Sequence, residues 1–212
     1  MAEKGEVRRA GRPRNPLPRE RMVAEARFQF ANAGFVGASM NSIATACGIR
    51  KASLFHHFTS KEALYLEVLG GVVTELSQLI NQASQGNEEF LARLDQLGVL
   101  VVRYFGAHPG CAALLMREII NQGPFMRGAG SQMVQMAMEM TAEFLRMGMN
   151  QGVIEEQDPL HLTMSIAGVH LLWFSADGVS ETLAGGSVYS PPNIALREAS
   201  VTSQIRHLCR VC

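Results

Sequence analysis

The sequence lacks the short motifs that the common enzyme classes require. Its 212 residues contain no G-x-S-x-G, no H-E-x-x-H, no phosphate-binding loop and no G-x-G-x-x-G. These absences argue against serine hydrolases, zinc peptidases, nucleotide hydrolases and dinucleotide-dependent oxidoreductases. We therefore expect a protein that is not an enzyme and that needs no cofactor.

Cysteine is scarce, and its spacing is not that of a metal site. The four cysteines are Cys47, Cys111, Cys209 and Cys212. The last two form a C-x-x-C without a surrounding βαβ pattern, which favours reduced thiols and leaves a redox role open. The neighbours His56 and His57 would point about 100° apart on a helix, so they do not form a shared metal site. No metal ion is expected.

Long apolar runs and alternating patterns are also absent. The N-terminus is polar and basic with no apolar stretch behind it, so no secretory signal is predicted. The most hydrophobic run, residues 160–176, has 17 residues and two histidines, whereas a membrane span needs about 20 apolar residues. No segment alternates with period two, so no sheet is expected. We predict an all-α, cytoplasmic protein with no membrane partner.

The charge is balanced overall but not locally. The whole chain has 19 Lys and Arg against 19 Asp and Glu. Residues 1–61 carry 11 basic and 4 acidic side chains, a net +7, and residues 62–212 carry 8 and 15, a net −7. A basic segment on an acidic body indicates that one end binds a polyanion such as DNA. Chance clustering in a solvated tail is the alternative.

Residues 1–15 are expected to form a flexible basic arm. The sequence Gly-Arg-Pro-Arg at residues 11–14 is followed by two further prolines, which excludes a helix. It resembles the core of an AT-hook, in which Arg12 and Arg14 would lie in the narrow minor groove of A·T-rich DNA. A plain solvated tail is the alternative interpretation.

Helix-start and helix-stop signals divide residues 19–69 into four helices. The capping and turn residues are Gly34, Ser39, Gly48 and Ser60. Serine at an N-cap accepts a backbone hydrogen bond, and glycine permits the tight turn between helices. Two short helices joined by a glycine turn over residues 39–58 predict a helix-turn-helix, whose second helix fills a DNA major groove.

The sequence of residues 30–64, FANAGFVGASMNSIATACGIRKASLFHHFTSKEAL, resembles the N-terminal domain of the TetR family of transcriptional regulators. The shared features are Gly34-Phe35, Ser39, Ile43-Ala44, Gly48-Ile49, Phe55-His56-His57-Phe58 and Ser60-Lys61-Glu62-Ala63-Leu64. The resemblance covers residues 19–69. It implies a three-helix, helix-turn-helix DNA-binding domain over residues 16–76 and a helical effector-binding and dimerisation domain over residues 77–212.

The resemblance also implies which residues contact DNA. The expected contacts are Ser39, Asn41, Arg50, Lys51, Ala52, Ser53, His56, His57 and Lys61. Lys61, near the start of the fourth helix, would bind a backbone phosphate. Arg50 stands where the family often has a small capping residue, so either the cap is missing or Arg50 itself contacts a guanine or a phosphate. We expect Phe55 and Phe58 in the core rather than against bases.

The second half of the chain predicts long helices that serve dimerisation and effector binding. Asp158 followed by Pro159 indicates a helix start, and that helix is expected to run to about residue 177. It is apolar almost all round, so it should be buried on two sides. Together with a last helix at residues 194–208 it is the expected dimer interface, because the resemblance implies a four-helix bundle between two copies.

Methionine is concentrated in one part of the chain. Eight of the 12 methionines lie between residues 116 and 149, and methionine often lines adaptable binding surfaces. The expected effector pocket consists of Met116, Asn121, Phe125, Met133, Met164, His170 and Trp173. Ordinary core packing is the alternative for these residues.

The sequence therefore predicts a homodimeric transcriptional regulator, a repressor that binds a palindromic double-stranded DNA operator and leaves it when a small organic effector binds. Two alternatives stay open. One is an architectural or non-specific DNA-binding protein, and the other is a helical ligand-binding protein with no operator.

Overall fold

The computed structural model describes residues 18–211, which fold into ten α-helices and one isolated bridge between Ile154 and Val211. The helices are α1 Arg19–Gly37, α2 Met40–Ala46, α3 Lys51–His57, α4 Lys61–Gln85, α5 Phe90–Ala107, α6 Cys111–Asn121, α7 Ala129–Asn150, α8 Pro159–Ser175, α9 Asp177–Ala184 and α10 Pro191–Leu208. The prediction of an all-α fold is confirmed.

Two hydrophobic clusters divide the described residues into a head and a body. The head comprises α1, α2, α3 and α4 as far as Val73, and its cluster is centred on buried side chains such as Phe30, Leu54 and Phe58. The body comprises the rest, with a cluster that includes Phe105 and Phe144. Because α4 is continuous across both clusters, the boundary predicted at residue 76 lies inside a helix.

The breaks predicted in the head occur where the sequence places them. Gly34 has φ 68° and ψ 178°, which interrupts the helical run of α1 in a conformation that only glycine adopts easily. Gly48 has φ 68° and makes the turn between α2 and α3. The Ser60 hydroxyl accepts a hydrogen bond from the Ala63 N–H at 3.0 Å and caps α4.

The helix start predicted at Asp158 is confirmed, and the helix ends at Ser175, two residues before the predicted end near residue 177. The Asp158 carboxylate accepts the N–H groups of Leu160 and His161 at 2.9 and 2.8 Å, and Pro159 occupies the first turn. Ala176, with φ −102° and ψ 42°, then breaks the chain, and α9 follows α8 at an angle of 81°. The last helix starts at residue 191 rather than 194, because proline suits a first helical turn.

Helix α4 is the one long helix that runs through both the head and the body as the two are defined above. It packs against α1 in the head and against α5 and α7 in the body. By length and composition alone it is apolar enough to cross a membrane, as are the bent pairs α5 with α6 and α8 with α9. In the fold its apolar side chains, among them Leu64, Val68 and Val72, are buried against the neighbouring helices.

Candidate nucleic-acid interface and helical cavity

Local hydrogen bonds cap the start of α2, whereas the start of α3 has no side-chain cap. The Ser39 hydroxyl accepts the Ser42 N–H at 3.0 Å, and the Ser42 hydroxyl lies 3.2 Å from the Ser39 N–H, which completes a capping box. Arg50 occupies the N-cap of α3, but its side chain makes no capping hydrogen bond. The capping hydrogen bond that a small polar residue often provides is therefore absent at α3. The exposed Arg50 side chain is left for the alternative predicted from the sequence, contact with a guanine or a phosphate.

Helix α3 has one buried side and one exposed side. Leu54 and Phe58, four residues apart, are buried in the head cluster. The exposed side carries the residues predicted to contact DNA, namely Arg50, Lys51, Ala52, Ser53, His56 and His57. Ser39 and Asn41 are also exposed, at the start of α2. An exposed helix face with cations and small residues matches the shape and charge of a DNA major groove.

The prediction that Phe55 lies in the core is wrong. Its ring is 41% exposed, and the Lys51 ammonium lies 5.8 Å from the ring centroid. Phe55 follows Leu54 by one position, which turns it about 100° away from the buried face of the helix. An exposed aromatic ring beside a cation adds an apolar group to the basic face of α3, of the kind that contacts a thymine methyl group.

Lys61 is held within the head. Its ammonium donates hydrogen bonds to the carbonyl oxygens of Phe35 at 2.8 Å and Ala38 at 3.1 Å, and it lies 4.5 Å from the centroid of the Phe35 ring. A lysine ammonium has three N–H donors. Two of them therefore satisfy carbonyl groups around the end of α1, and one is left for a phosphate.

Some of the predictions for the N-terminal arm and for the cysteines concern residues outside the part of the chain that the structure describes. Arg12, Arg14 and Cys212 fall in the segments 1–17 and 212, which the structure does not describe. Within residues 18–211, no group of three or more His, Cys, Asp or Glu side chains is arranged to hold a metal ion. Cys209 is buried, and burial raises the pKa of its thiol to about 11.

A cavity of about 140 Å³ lies inside the body. It is enclosed by α4, α5, α6, α7, α8 and α10, whose contributions include Ile80, Phe105, Ile119, Phe144, Ile166 and Ile205. Its walls are almost wholly apolar. The polar side chains in the lining are Thr141, Thr163 and His170. A concave apolar space with a few polar groups is the usual form of a small-molecule site.

Only His170 of the seven predicted pocket residues lines this cavity. The other six are Met116, Asn121, Phe125, Met133, Met164 and Trp173. Phe125 and Met133 pack with the head cluster, Asn121 is exposed, and Met116 is half-buried away from the lining. Met164 is 62% exposed, and Trp173 packs against Arg197. Neither of these two α8 side chains lines the cavity with His170, which sequence proximity does not reveal.

Sequence reasoning missed the contribution of α5 to the cavity. Leu94, Leu97, Val101 and Phe105 recur at three- and four-residue spacing and line one wall. That spacing was visible in the sequence, but a core-facing stripe has the same spacing as a cavity-facing one. Of the eight clustered methionines, Met138 alone lines the cavity.

His170 is the one titratable side chain in the cavity lining. The residue is 5% exposed, and its Nδ1 has no hydrogen-bond partner within the described part of the chain. Burial, together with the nearby Arg197 guanidinium, lowers the pKa of His170 to about 3. The imidazole is therefore neutral near pH 7. Thr163, two helical turns earlier, has a buried hydroxyl oxygen that is likewise unpartnered among residues 18–211.

Helix α6 connects the cavity to the head. Leu115 and Ile119 line the cavity, and Glu118 on another side of the helix is buried against the head. The Glu118 carboxylate accepts the Tyr65 hydroxyl of α4 at 2.8 Å and the Phe125 N–H at 3.1 Å. A displacement of α6 by an occupant of the cavity would therefore act directly on α4 and on the head cluster.

A second polar contact joins the head to the body. Arg27 of α1 makes a two-pronged ion pair with Glu75 of α4, at 2.9 and 2.7 Å. The Tyr104 hydroxyl of α5 donates to the same carboxylate at 2.7 Å. The Arg27 guanidinium and these hydrogen bonds hold the pKa of Glu75 below its usual value, against the effect of its burial. Two sets of polar contacts thus connect the head with the body, one at Glu118 and one at Glu75.

Comparison with known families matches both parts of the chain. The family model "Bacterial regulatory proteins, tetR family" matches residues 23–68. The model "Tetracyclin repressor-like, C-terminal domain" matches residues 91–205, more than half of the chain. The first match contains the helix-turn-helix, and the second contains most of the helices that enclose the cavity.

Individual relatives are similar to the chain at two levels. The transcriptional activator FasR of Mycolicibacterium smegmatis is 36% identical over 97 residues, which span 43% of this chain and 44% of FasR. The crystal structure of the regulator PfmR from Thermus thermophilus is 22% identical, with a TM-score of 0.71 over 90% of this chain and 98% of PfmR. That of AibR with isovaleryl coenzyme A and operator DNA is 17% identical, with a TM-score of 0.67 over 91% and 98% of the two chains.

The two structural likenesses concern the fold, whereas the family models identify the sequence itself. The matched residues 23–68 include the capping box, the glycine turn and the exposed face of α3 described above. With both models matching in chain order, this protein is a DNA-binding transcriptional regulator that belongs to the TetR family of bacterial regulatory proteins.

Proposed function

We propose that this protein is a cytoplasmic, homodimeric repressor that leaves its operator when a small organic effector fills the cavity in the body. The observation that carries the proposal is α6, which contributes Leu115 and Ile119 to the cavity and Glu118 to the contact with the head. One helix thus contacts both a ligand-sized space and the core of the DNA-binding head.

The DNA-binding part rests on the exposed face of α3. Arg50 and Lys51 are exposed there next to the small residues Ala52 and Ser53, so the helix can approach base edges while its cations contact guanines or phosphates. Phe55 joins this set as an apolar contact. Lys61 is proposed as a phosphate contact through its one remaining donor.

The homodimer rests on an uncovered apolar stripe of α8. Leu160, Met164 and Leu172 are 52%, 62% and 65% exposed, at four- and eight-residue spacing along one side of the helix. Leu196 of α10 is also exposed. A stripe of this kind is stable in water only when another surface covers it. A second copy would bury it and present two α3 helices to the two halves of a palindrome about one DNA turn apart.

The proposal that the effector releases the protein from DNA rests on the two sets of polar contacts between head and body, at Glu118 and at Glu75. An occupant of the cavity would displace Leu115 and Ile119, and α6 would carry that movement to Glu118 and Tyr65. The spacing of the two heads would change, so both could not dock together. This requires the effector to bind the DNA-incompetent state more tightly, and coupling of this kind changes operator affinity about 5- to 150-fold.

The test is competition binding of the full-length protein to a palindrome from upstream of its own gene and to random DNA. We expect at least about 10³-fold tighter binding to the palindrome at physiological salt. Equal affinity for both DNAs would contradict the regulator and favour the architectural alternative. No binding to either DNA, alongside a folded protein, would favour a ligand-binding protein without an operator.

A second candidate, an activator, is favoured by the similarity to FasR, which is named as an activator. A promoter fused to a reporter distinguishes the two. Deleting the regulator raises expression if it is a repressor and lowers expression if it is an activator.

A further inference from the structure

The cavity lining contains no charged side chain. Its walls come from six helices, and their polar contributions are two threonines and one histidine. A carboxylate, phosphate or ammonium placed inside would lose its water and find no opposite charge in the lining, which is strongly unfavourable. The group that enters this space should therefore be uncharged.

His170 is the polar group in the lining best placed to bind a ligand. Buried polar side chains in proteins are nearly always hydrogen-bonded, yet the His170 ring makes no hydrogen bond within the described residues, and its Nδ1 is fully buried. A neutral imidazole offers one donor and one acceptor. Thr141 is already bonded, since its hydroxyl donates to the Ala137 carbonyl at 2.9 Å. Thr163 lies seven residues from His170, about 10 Å along the helix.

Arg197 lies close enough to His170 to act on it electrostatically, and it does not line the cavity. Its guanidinium donates to the Val169 carbonyl and lies 4.8 Å from the centroid of the Trp173 ring. Its effect on His170 is to oppose protonation of the ring, which keeps the imidazole in the form that both donates and accepts.

The size of the cavity limits what fits. Its volume of about 140 Å³ is close to the roughly 150 Å³ of an engineered apolar cavity that binds benzene. A group of that size cannot reach His170 and Thr163 together. A single polar substituent on a compact apolar body can reach His170 alone.

We propose that the portion of the effector held in the cavity is an uncharged, compact apolar group, about the size of one aromatic ring, with a single hydroxyl or similar group hydrogen-bonded to His170. This inference deepens the proposed function and rests on it for the word effector. The binding site itself, and its preference for a neutral hydroxyl, stand on the lining alone.

Three probes of one ring size test the preference, namely phenol, benzene and benzoate, titrated calorimetrically into the full-length protein at pH 7. Phenol should bind about 3- to 10-fold more tightly than benzene, the range expected for one net hydrogen bond. Benzoate, which is ionised at this pH, should bind at least about 100-fold more weakly than phenol. Benzoate binding as tight as phenol, or benzene binding as tight as phenol, would overturn the proposal.

Variants identify the partner of the hydroxyl. His170→Leu should make phenol and benzene bind equally, and His170→Gln should restore part of the preference because an amide can both donate and accept. Thr163→Val is the matched control on the same face of α8, and it should leave the ratio unchanged. Loss of the preference in Thr163→Val, or its persistence in His170→Leu, would assign the hydroxyl to another group and refute the role of His170.

The same preparations, assayed for operator binding, separate this inference from the proposed function. If the protein binds its operator specifically but none of the probes, the cavity proposal fails and the regulator remains. If phenol shows the predicted preference but no operator binding is found, the cavity proposal holds and the proposed function fails.

Discussion

The head presents its functional side chains to solvent, whereas the body encloses them. Residues 50–57 of the head form one continuous stretch, and seven of these eight are exposed. The residues that line the cavity run from Val73, at the end of the head, to Ile205 in the body, and they come from six helices. The head can therefore meet a large, highly charged partner along one edge, and the body can surround only a small one.

The two regions also differ in how they use charge. The head displays cations at Arg50 and Lys51, and the cavity excludes charge altogether. A polyanion in water is bound through exposed cations, because binding releases its counterions. A small apolar molecule is bound by removing its surface from water. Under the proposed function, the two regions would bind their partners by two separate modes of recognition, with α6 and α4 between them.

The largest effect on stability is expected from a comparison of two phenylalanines, Phe55 on α3 and Phe58 at the C-cap of that helix. Phe58→Ala removes a buried ring that is 2% exposed, and it should lower the free energy of unfolding by about 3–5 kcal/mol. Phe55→Ala, on the exposed side, should cost less than about 1 kcal/mol but weaken operator binding. Urea unfolding followed by circular dichroism, with operator titration, measures both. Equal destabilisation by the two variants would mean that α3 has no free face.

The next effect concerns the tie between head and body. Tyr65→Phe removes the hydroxyl that donates to the buried Glu118 carboxylate at 2.8 Å. We expect a loss of about 1.5–3 kcal/mol in the free energy of unfolding, as for a hydrogen bond to a charged group. Tyr189→Phe is the control, because its hydroxyl makes only a 3.4 Å contact with the Gly110 N–H. Equal loss of stability in the two variants would mean that the Tyr65–Glu118 hydrogen bond stabilises the fold no more than the weak contact of Tyr189.

Burial of His170 should make the stability of the body depend on pH. The pKa of His170 is lowered to about 3 in the folded protein, compared with about 6.5 in an unfolded chain. The folded state thus binds fewer protons, and the stability from the neutral ring, complete above pH 6.5, is lost as the pH falls towards 3. Between pH 6.5 and 5, unfolding should become easier by about 1–2 kcal/mol relative to His170→Leu. Parallel pH profiles of the two proteins would refute this.

The smallest effect is on the salt dependence of operator binding. Lys51→Ala should reduce the slope of log affinity against log salt by about 0.9 if the ammonium contacts one phosphate, which is about a 3-fold change between 50 and 200 mM salt. Arg127→Ala, an exposed cation of the body, should leave the slope unchanged. Fluorescence anisotropy at several salt concentrations measures both. An unchanged slope for Lys51→Ala would remove it from the phosphate contacts.

Most of the head could be predicted because its signals are short-range. Ser39, Gly48 and Ser60 act through backbone groups within a few residues of themselves, so their positions alone predict the caps and the turn. Phe55 could not be placed in this way. Its neighbour Leu54 and the ring of Phe58 are both buried, and only the rotation of α3 against α1 and α4 decides which of three apolar side chains faces outwards.

The helices of the body could be predicted from the sequence, but the residues that line its cavity could not. The Asp158 cap is local and was found, whereas the break at Ala176 has no capping or glycine signal of its own at that residue. The cavity depends on which face each of six helices turns inwards, and apolar spacing is the same for a packed face and an open one. The clustered methionines and the residues near them therefore pointed to α6, α7 and α8, but six of the seven predicted side chains lie outside the lining, and the α5 wall was missed.

The sequence by itself determined the all-α fold, the position of the helix-turn-helix and the family, since caps, turns and helical periodicity act over a few residues. The tertiary structure alone decided that Lys61 is held by the carbonyls of Phe35 and Ala38, that Glu118 meets Tyr65 across 53 positions, and that His170 faces an apolar cavity. These contacts join residues far apart in the chain, and their geometry exists only once the helices have packed.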